Sequence, residues 1–168
     1  MLQEAGCKYV IIGHSEKRKY HQESDKIIQE KMTNAHKANL IAILCIGETL
    51  SQREDGSYNQ ELLKQLEKGL PDSANNLNTI IAYEPVWAIG TGKTASIEQI
   101  KEVHKFLSEK SLSRFAQMPK IIYGGSVNLE NAKTILNTDY VSGLLIGGAS
   151  LEAQTFYNII KIGEEICS

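Results

Sequence analysis

Cysteine is scarce in this sequence: Cys7, Cys45 and Cys167 lie far apart, with no C-x-x-C pair. So sparse and odd a set excludes a disulfide framework and a thiolate zinc site, and points to reduced thiols in a cytosol. No apolar stretch approaches the roughly 18 residues that a membrane-crossing helix needs, so no membrane association is expected. The opening residues Met1 to Gly6 hold neither the basic segment nor the apolar run of a secretory signal, which makes the cytoplasm the expected location. Charge of one sign is also lacking. The 18 lysines and arginines are spread among 20 acidic residues for a formal net charge of -2, and without a basic run nucleic acid is not an expected partner. The histidines show no metal-ligand spacing with other ligating residues, and no metal is expected.

What is present is an alternation of two patterns. Short apolar runs, mostly β-branched or aromatic, occur at Tyr9-Val10-Ile11-Ile12, Ile41 to Ile46, Ile80-Ile81-Ala82-Tyr83, Ile121-Ile122-Tyr123 and Leu144-Leu145-Ile146. Bounded by Gly, Pro or polar residues, they read as parallel strands buried on both faces. Between them run stripes of helical period: Ile28, Met32 and Ala35; Leu62, Leu63, Leu66 and Leu70; Ile97, Ile100, Val103 and Leu107; Leu129, Ala132 and Leu136; Phe156, Ile159, Ile160 and Gly163. Ser96-Ile97-Glu98-Gln99 fits a capping box and marks a helix start. The stripes are expected to be core.

Strand and helix thus repeat five times, the order of an α/β protein with a parallel sheet. A single domain over residues 1–168 is expected. Two architectures compete, an open doubly wound sheet and a piece of an eight-stranded barrel. At about 34 residues per unit, eight units would need roughly 270 residues, near the usual barrel length. Two details favour the piece. Met1 to Gly6 reads as the last turn of a helix with its C-terminal glycine. Glycine pairs also follow two successive strands, at Gly124-Gly125-Ser126 and Gly147-Gly148-Ala149-Ser150, where barrels place a phosphate site after strands seven and eight. The expectation is an incomplete (β/α)₈ barrel of five βα units, strands four to eight, with the first three units missing.

Chemistry concentrates at strand ends. Backbone N–H groups in the two glycine turns can cradle a phosphate that a Cβ would hold away, and Ser126 can add a hydroxyl donor. Glu84 closes the third run, and Pro85 biases it to an extended conformation that aims it from the strand end as a candidate general base. The segment after it, Pro85 to Lys93, is apolar in the middle with glycines at its far end, which suits a closing lid. His14 follows the first run and enters a helix start, whose positive field favours a neutral ring able to donate a hydrogen bond. His21, His36 and His104 sit in or near helical stretches and read as structural. Gly90-Thr91-Gly92-Lys93-Thr94-Ala95 has the letters of a dinucleotide signature, but Pro85 and Trp87 separate it from the strand, so it is rejected. A P-loop reading of Gly92-Lys93-Thr94 fails because Trp87 stands where the first glycine belongs.

Taken together, Tyr9 to Glu16, Cys45-Ile46-Gly47-Glu48-Thr49, Ala82 to Gly92, Tyr123-Gly124-Gly125-Ser126-Val127 and Gly147 to Leu151 closely resemble the triosephosphate isomerase family, in its order and from end to end. The resemblance implies cofactor-free proton transfer interconverting dihydroxyacetone phosphate and glyceraldehyde 3-phosphate, a step of glycolysis and gluconeogenesis. It implies Glu84 as the base and His14 as the neutral electrophile that is well known for this family. Glu16 matches a supporting acidic residue, and Gly90, Ser126, Gly147 and Gly148 match the groups that hold the substrate phosphate. Pro85 to Thr91 matches the mobile lid.

Departures accompany the likeness. The family's Asn-x-Lys element, whose lysine neutralises the phosphate, has no counterpart in position, since Asn131-Ala132-Lys133 falls in a helix. Members are usually homodimeric through a loop that has no match here, and Ser142 replaces a usual acidic residue. The implied function is an isomerase with little activity from this chain alone unless the missing part is supplied. The alternative is a non-catalytic phosphate-binding or assembly module derived from the enzyme.

Overall fold

Four of the five apolar runs form strands in a computed structural model, which describes residues 1–90 and 93–167. They are β1 (Tyr9–Ile12), β2 (Ile41–Ile46), β3 (Thr79–Tyr83) and β4 (Lys120–Tyr123), all parallel and hydrogen-bonded in the order β1-β2-β3-β4. The fifth run differs from expectation. A single parallel bridge, Tyr123 with Leu144, joins it to β4. The main chain nevertheless runs alongside, with Ser142 N–H donating to Ile121 O, Tyr123 N–H to Gly143 O and Leu145 N–H to Tyr123 O. A three-residue apolar run beside Gly143 has too few rungs to extend into a full strand.

Helices fill the crossovers: α1 (Ser15–His21), α2 (Asp25–Lys37), α3 (Leu50–Glu54), α4 (Tyr58–Gly69), α5 (Ile97–Ser111), α6 (Leu129–Leu136) and α7 (Ala153–Cys167). Their starts are written in the sequence. Ser24, Thr49, Ser96 and Asn128 each accept a backbone N–H of the first turn, and the last three form reciprocal capping boxes. Ahead of β1, Gly6 (φ +84°) ends a helical turn in which Cys7 N–H donates to Leu2 O and Gly6 N–H to Gln3 O. This is the glycine-terminated turn expected there.

Strand order separates a singly wound sheet from a doubly wound one. Each crossover joins neighbours in sequence, and right-handed crossovers that all step the same way put every helix on one side of the sheet. This is the winding of a (β/α) barrel wall, not of a doubly wound sheet. The register then sorts side chains by face. Ile12, Ala42, Leu44, Ile81, Tyr83, Ile121 and Tyr123 are buried against Ile28, Met32, Leu62, Leu66, Ile100, Val103 and Leu107 of α2, α4 and α5.

Tyr9, Ile11, Ile41, Ile43, Ile80 and Ile122 share the opposite face. Tyr9 and Ile11 are 54% and 51% exposed there, and the other four are half-buried. Cys45 and Ala82, further along the same face, are fully buried. The expectation of strands buried on both faces is therefore corrected for Tyr9 and Ile11 and met only in part at the other four positions. Helix α7 needs a similar correction. It packs on α6, yet of its apolar stripe only Ile159 is buried, while Phe156 and Ile160 stay exposed.

Candidate active site

The C-terminal ends of the parallel strands converge on one mouth. After β1, Gly13 takes a left-handed conformation (φ +78°) and turns the chain so that His14 becomes the N-cap of α1. The His14 Nδ1 accepts the Glu16 N–H at 3.3 Å. A neutral ring that accepts at Nδ1 carries its proton on Nε2. That Nε2 faces Glu84 Oε1 at 3.3 Å.

Glu84 follows β3 and extends the ladder by one bond, its N–H donating to Ile46 O at 2.8 Å. It is only 2% exposed, and Oε2 accepts the Ser15 N–H at 3.3 Å. Burial pushes its pKa above the ordinary glutamate value, opposed by His14, the Ser15 amide, Cys45 and Arg18. Such a shift suits a general base that must also give its proton back. The neighbouring Cys45 thiol is pushed well up by burial and then by the Glu84 charge, which keeps it protonated and unreactive.

Two glycines make this placement of Glu84 possible. A Cβ on Gly47 would lie 1.8 Å from the Glu84 carbonyl oxygen, and one on Gly124 would lie 2.9 Å from Glu84 Cγ. Gly47 is itself gripped from α4, where Gln65 Oε1 accepts its N–H and Gln65 Nε2 donates to its carbonyl, both at 3.0 Å. Sequence reasoning took Gly124-Gly125 only as an anion turn and passed over Gln65. A lone polar residue on an otherwise apolar helix face was the available signal.

Beside the pair lies a cavity of about 270 Å³. His14, Glu84, Gly90, Ser126, Gly147 and Gly148 all line it, so six of the seven residues singled out in the sequence meet at one place. Glu16 does not. Its side chain is exposed beside a smaller hollow with Lys19, Tyr20 and Val86, and what it offers the site is its backbone N–H on His14. A Cβ on Gly147 or Gly148 would meet nothing within 4 Å, so the main chain borders open space. Ser126 donates its hydroxyl to Ala88 O at 2.6 Å and its N–H to the same oxygen at 3.1 Å. Its donors are therefore engaged by the segment expected to be a lid. That segment forms a 3₁₀ turn at Val86–Ala88; its Thr91, like Gly92, lies outside the described residues.

A buried carboxylate that sequence reasoning did not single out anchors the segment's start. Glu48, fully buried, uses Oε1 to accept from Arg53 Nε (2.9 Å), Tyr83 OH (3.1 Å) and Trp87 Nε1 (3.0 Å). Arg53 also donates from Nη2 to Tyr83 OH at 2.9 Å. Trp87, the centre of the 3₁₀ turn, is thus tied to the ends of β2 and β3. The clue in sequence was an acidic residue at a strand end just before a capping threonine.

Known proteins share this chain's sequence and fold. The family model described as triosephosphate isomerase matches residues 1–163. A curated triosephosphate isomerase from Bartonella henselae is 49% identical over 165 residues, covering 96% of this chain and 65% of its own length. One from Chloroherpeton thalassium is 48% identical over 170 residues, covering 98% of this chain and 68% of its own. The crystal structure of the Bartonella henselae triosephosphate isomerase superposes with a TM-score of 0.90 at 45% identity, covering 97% of this chain and 68% of that one. The chain therefore spans about two thirds of the length of the relatives it matches, 65% of the Bartonella henselae protein. On its winding, its strand-end residues and these likenesses, the chain belongs to the triosephosphate isomerase family.

Proposed function

We propose that the mouth formed by β1, β3, β4 and the fifth run is the larger part of a cofactor-free triose-phosphate isomerase site. In this reading Glu84 removes a proton from the carbon beside the substrate carbonyl and returns it to the former carbonyl carbon. His14 donates its Nε2–H to the carbonyl oxygen as charge develops there. Gly90, Gly147, Gly148 and Ser126 hold the phosphate, with Ser126 exchanging Ala88 for the anion, and Glu16 supports His14. The single observation behind it is the 3.3 Å approach of His14 Nε2 to a buried Glu84 on a cavity bordered by open glycine backbone.

The reading extends to architecture: the five units are the last five of an eight-unit barrel. The part-covered face of the sheet and the edge of β1, where Tyr9 and Ile11 are exposed, await the other three, which also carry the phosphate-neutralising lysine. Loss of one such preorganised donor costs about 2.7–4 kcal/mol, or roughly 10²–10³ in rate. The chain alone is therefore expected to turn over little substrate. Mixing it with a polypeptide carrying three further βα units and an Asn-x-Lys element restores isomerisation, measured as glyceraldehyde 3-phosphate formed, and Glu84→Gln abolishes the recovery. A folded mixture that stays inactive overturns the proposal.

A second reading, a non-catalytic phosphate-binding module, rests on the open main chain at Gly147 and Gly148, which can cradle an anion without a catalytic base. Binding of a triose-phosphate analogue that survives Glu84→Gln, with no turnover in the mixture, selects it.

A further inference from the structure

Arg18 belongs to α1 and does not line the cavity, yet its side chain turns back beneath the site. Its Nε donates to Gly13 O at 2.9 Å and its Nη2 to Cys45 O at 3.2 Å. Nη1 pairs with Asp25 Oδ1 at 2.7 Å, and the side chain is 20% exposed. The register of β1 with β2 ends at the pair Ile12 and Leu44. Gly13 and Cys45 are the next residues on each strand, and there Gly13 has already left extended geometry. One planar guanidinium therefore ties the two strands together one step beyond their last backbone rung. Its rigid fork of donors suits two carbonyls and a carboxylate at once, where an ammonium offers a single centre.

Both tied residues adjoin the reacting pair. His14 follows Gly13 directly, and Cys45 lies against Glu84. We propose that Arg18 is a positioning residue, which forks across the carbonyls ending β1 and β2 and so fixes the separation of His14 from Glu84. The guanidinium also favours the Glu84 carboxylate, while Asp25 partly neutralises it and His14 and Cys45 are the other titratable groups around. The inference rests on the pair described above, but its consequences for geometry and charge hold whether or not the chain turns over substrate.

The test is NMR titration of the full chain carrying ¹³C-labelled glutamate and ¹⁵N-labelled histidine. In Arg18→Met the Glu84 midpoint moves upward, because a cation favouring its carboxylate is gone. The His14 Nε2 resonance then loses the step by which it follows that titration. Arg18→Lys restores the midpoint but not the step, since charge returns without the fork. An unchanged midpoint and step in folded Arg18→Met overturn the proposal. If Arg18→Met does not fold, Arg18→Lys decides: a lost step supports the positioning role and a wild-type step overturns it. Isomerase failure would leave these resonances untouched, so the two readings fail separately.

Discussion

Glu84 carries a charge in a place that disfavours charge. Burial raises its pKa, so the folded chain pays for the carboxylate at neutral pH and is relieved as pH falls through the raised value. Glu84→Gln is expected to raise the thermal midpoint at pH 7, as read by circular dichroism, while removing the base. His104 has the opposite sign. Burial lowers its pKa to about 4, it packs edge-on to Tyr83, and its Nε2 is buried without a partner. Its neutral form is favoured by folding, so its contribution is complete above the ordinary histidine value near 6.5 and lost as pH drops toward 4. The linked change is roughly 3 kcal/mol. Urea denaturation at several pH values should show this loss in the wild type and a much flatter profile in His104→Gln. Gly47→Ala should be the severe substitution, because backbone cannot yield to a Cβ 1.8 Å from the Glu84 carbonyl oxygen. A destabilisation of about 3 kcal/mol or more is expected from overpacking at a strand end.

Among the elements, the helix starts were the most legible part of the sequence, because a cap is local chemistry. The Ser96 box reads the same in sequence and in space. Ser96→Ala should cost about 1 kcal/mol, measured as a shift in the urea midpoint. Strand ends were legible for a similar reason. A proline after Glu84, a glycine before His14 and paired glycines after two runs each constrain backbone next to a reactive group. Less legible was whatever needed distant partners. Whether Ile11 or Phe156 is covered depends on what packs across from it, and a period of two or of 3.6 only says that some face is apolar. Glu48 and Gln65 were missed for the same reason, since their importance lies in Trp87 and Gly47, 39 and 18 residues away. The Glu16 side chain matched a pattern, yet its orientation is set by the turn of α1 and leaves it outside the cavity.

For the molecule as a whole, the asymmetry of the sheet dominates. Parallel sheets are ordinarily covered on both faces, and unpaired edges recruit other chains. A hollow of about 460 Å³ beside β1, lined by Leu2, Val10, Ala35 and Leu40, reaches the exposed Ile11 at the edge of the part-covered face. The isolated chain is expected to bind an apolar fluorescent dye and to self-associate at micromolar concentration, as followed by light scattering. Both signals should fall when a polypeptide with three further βα units is added, and constant signals would show that the added chain does not cover this surface. The neighbour-to-neighbour strand order also bears on synthesis. Every strand-pairing partner in the described sheet is the strand translated just before or just after it. A ribosome releasing the chain therefore presents each new βα unit to an edge that has already emerged, and no loop waits for a distant partner before it closes.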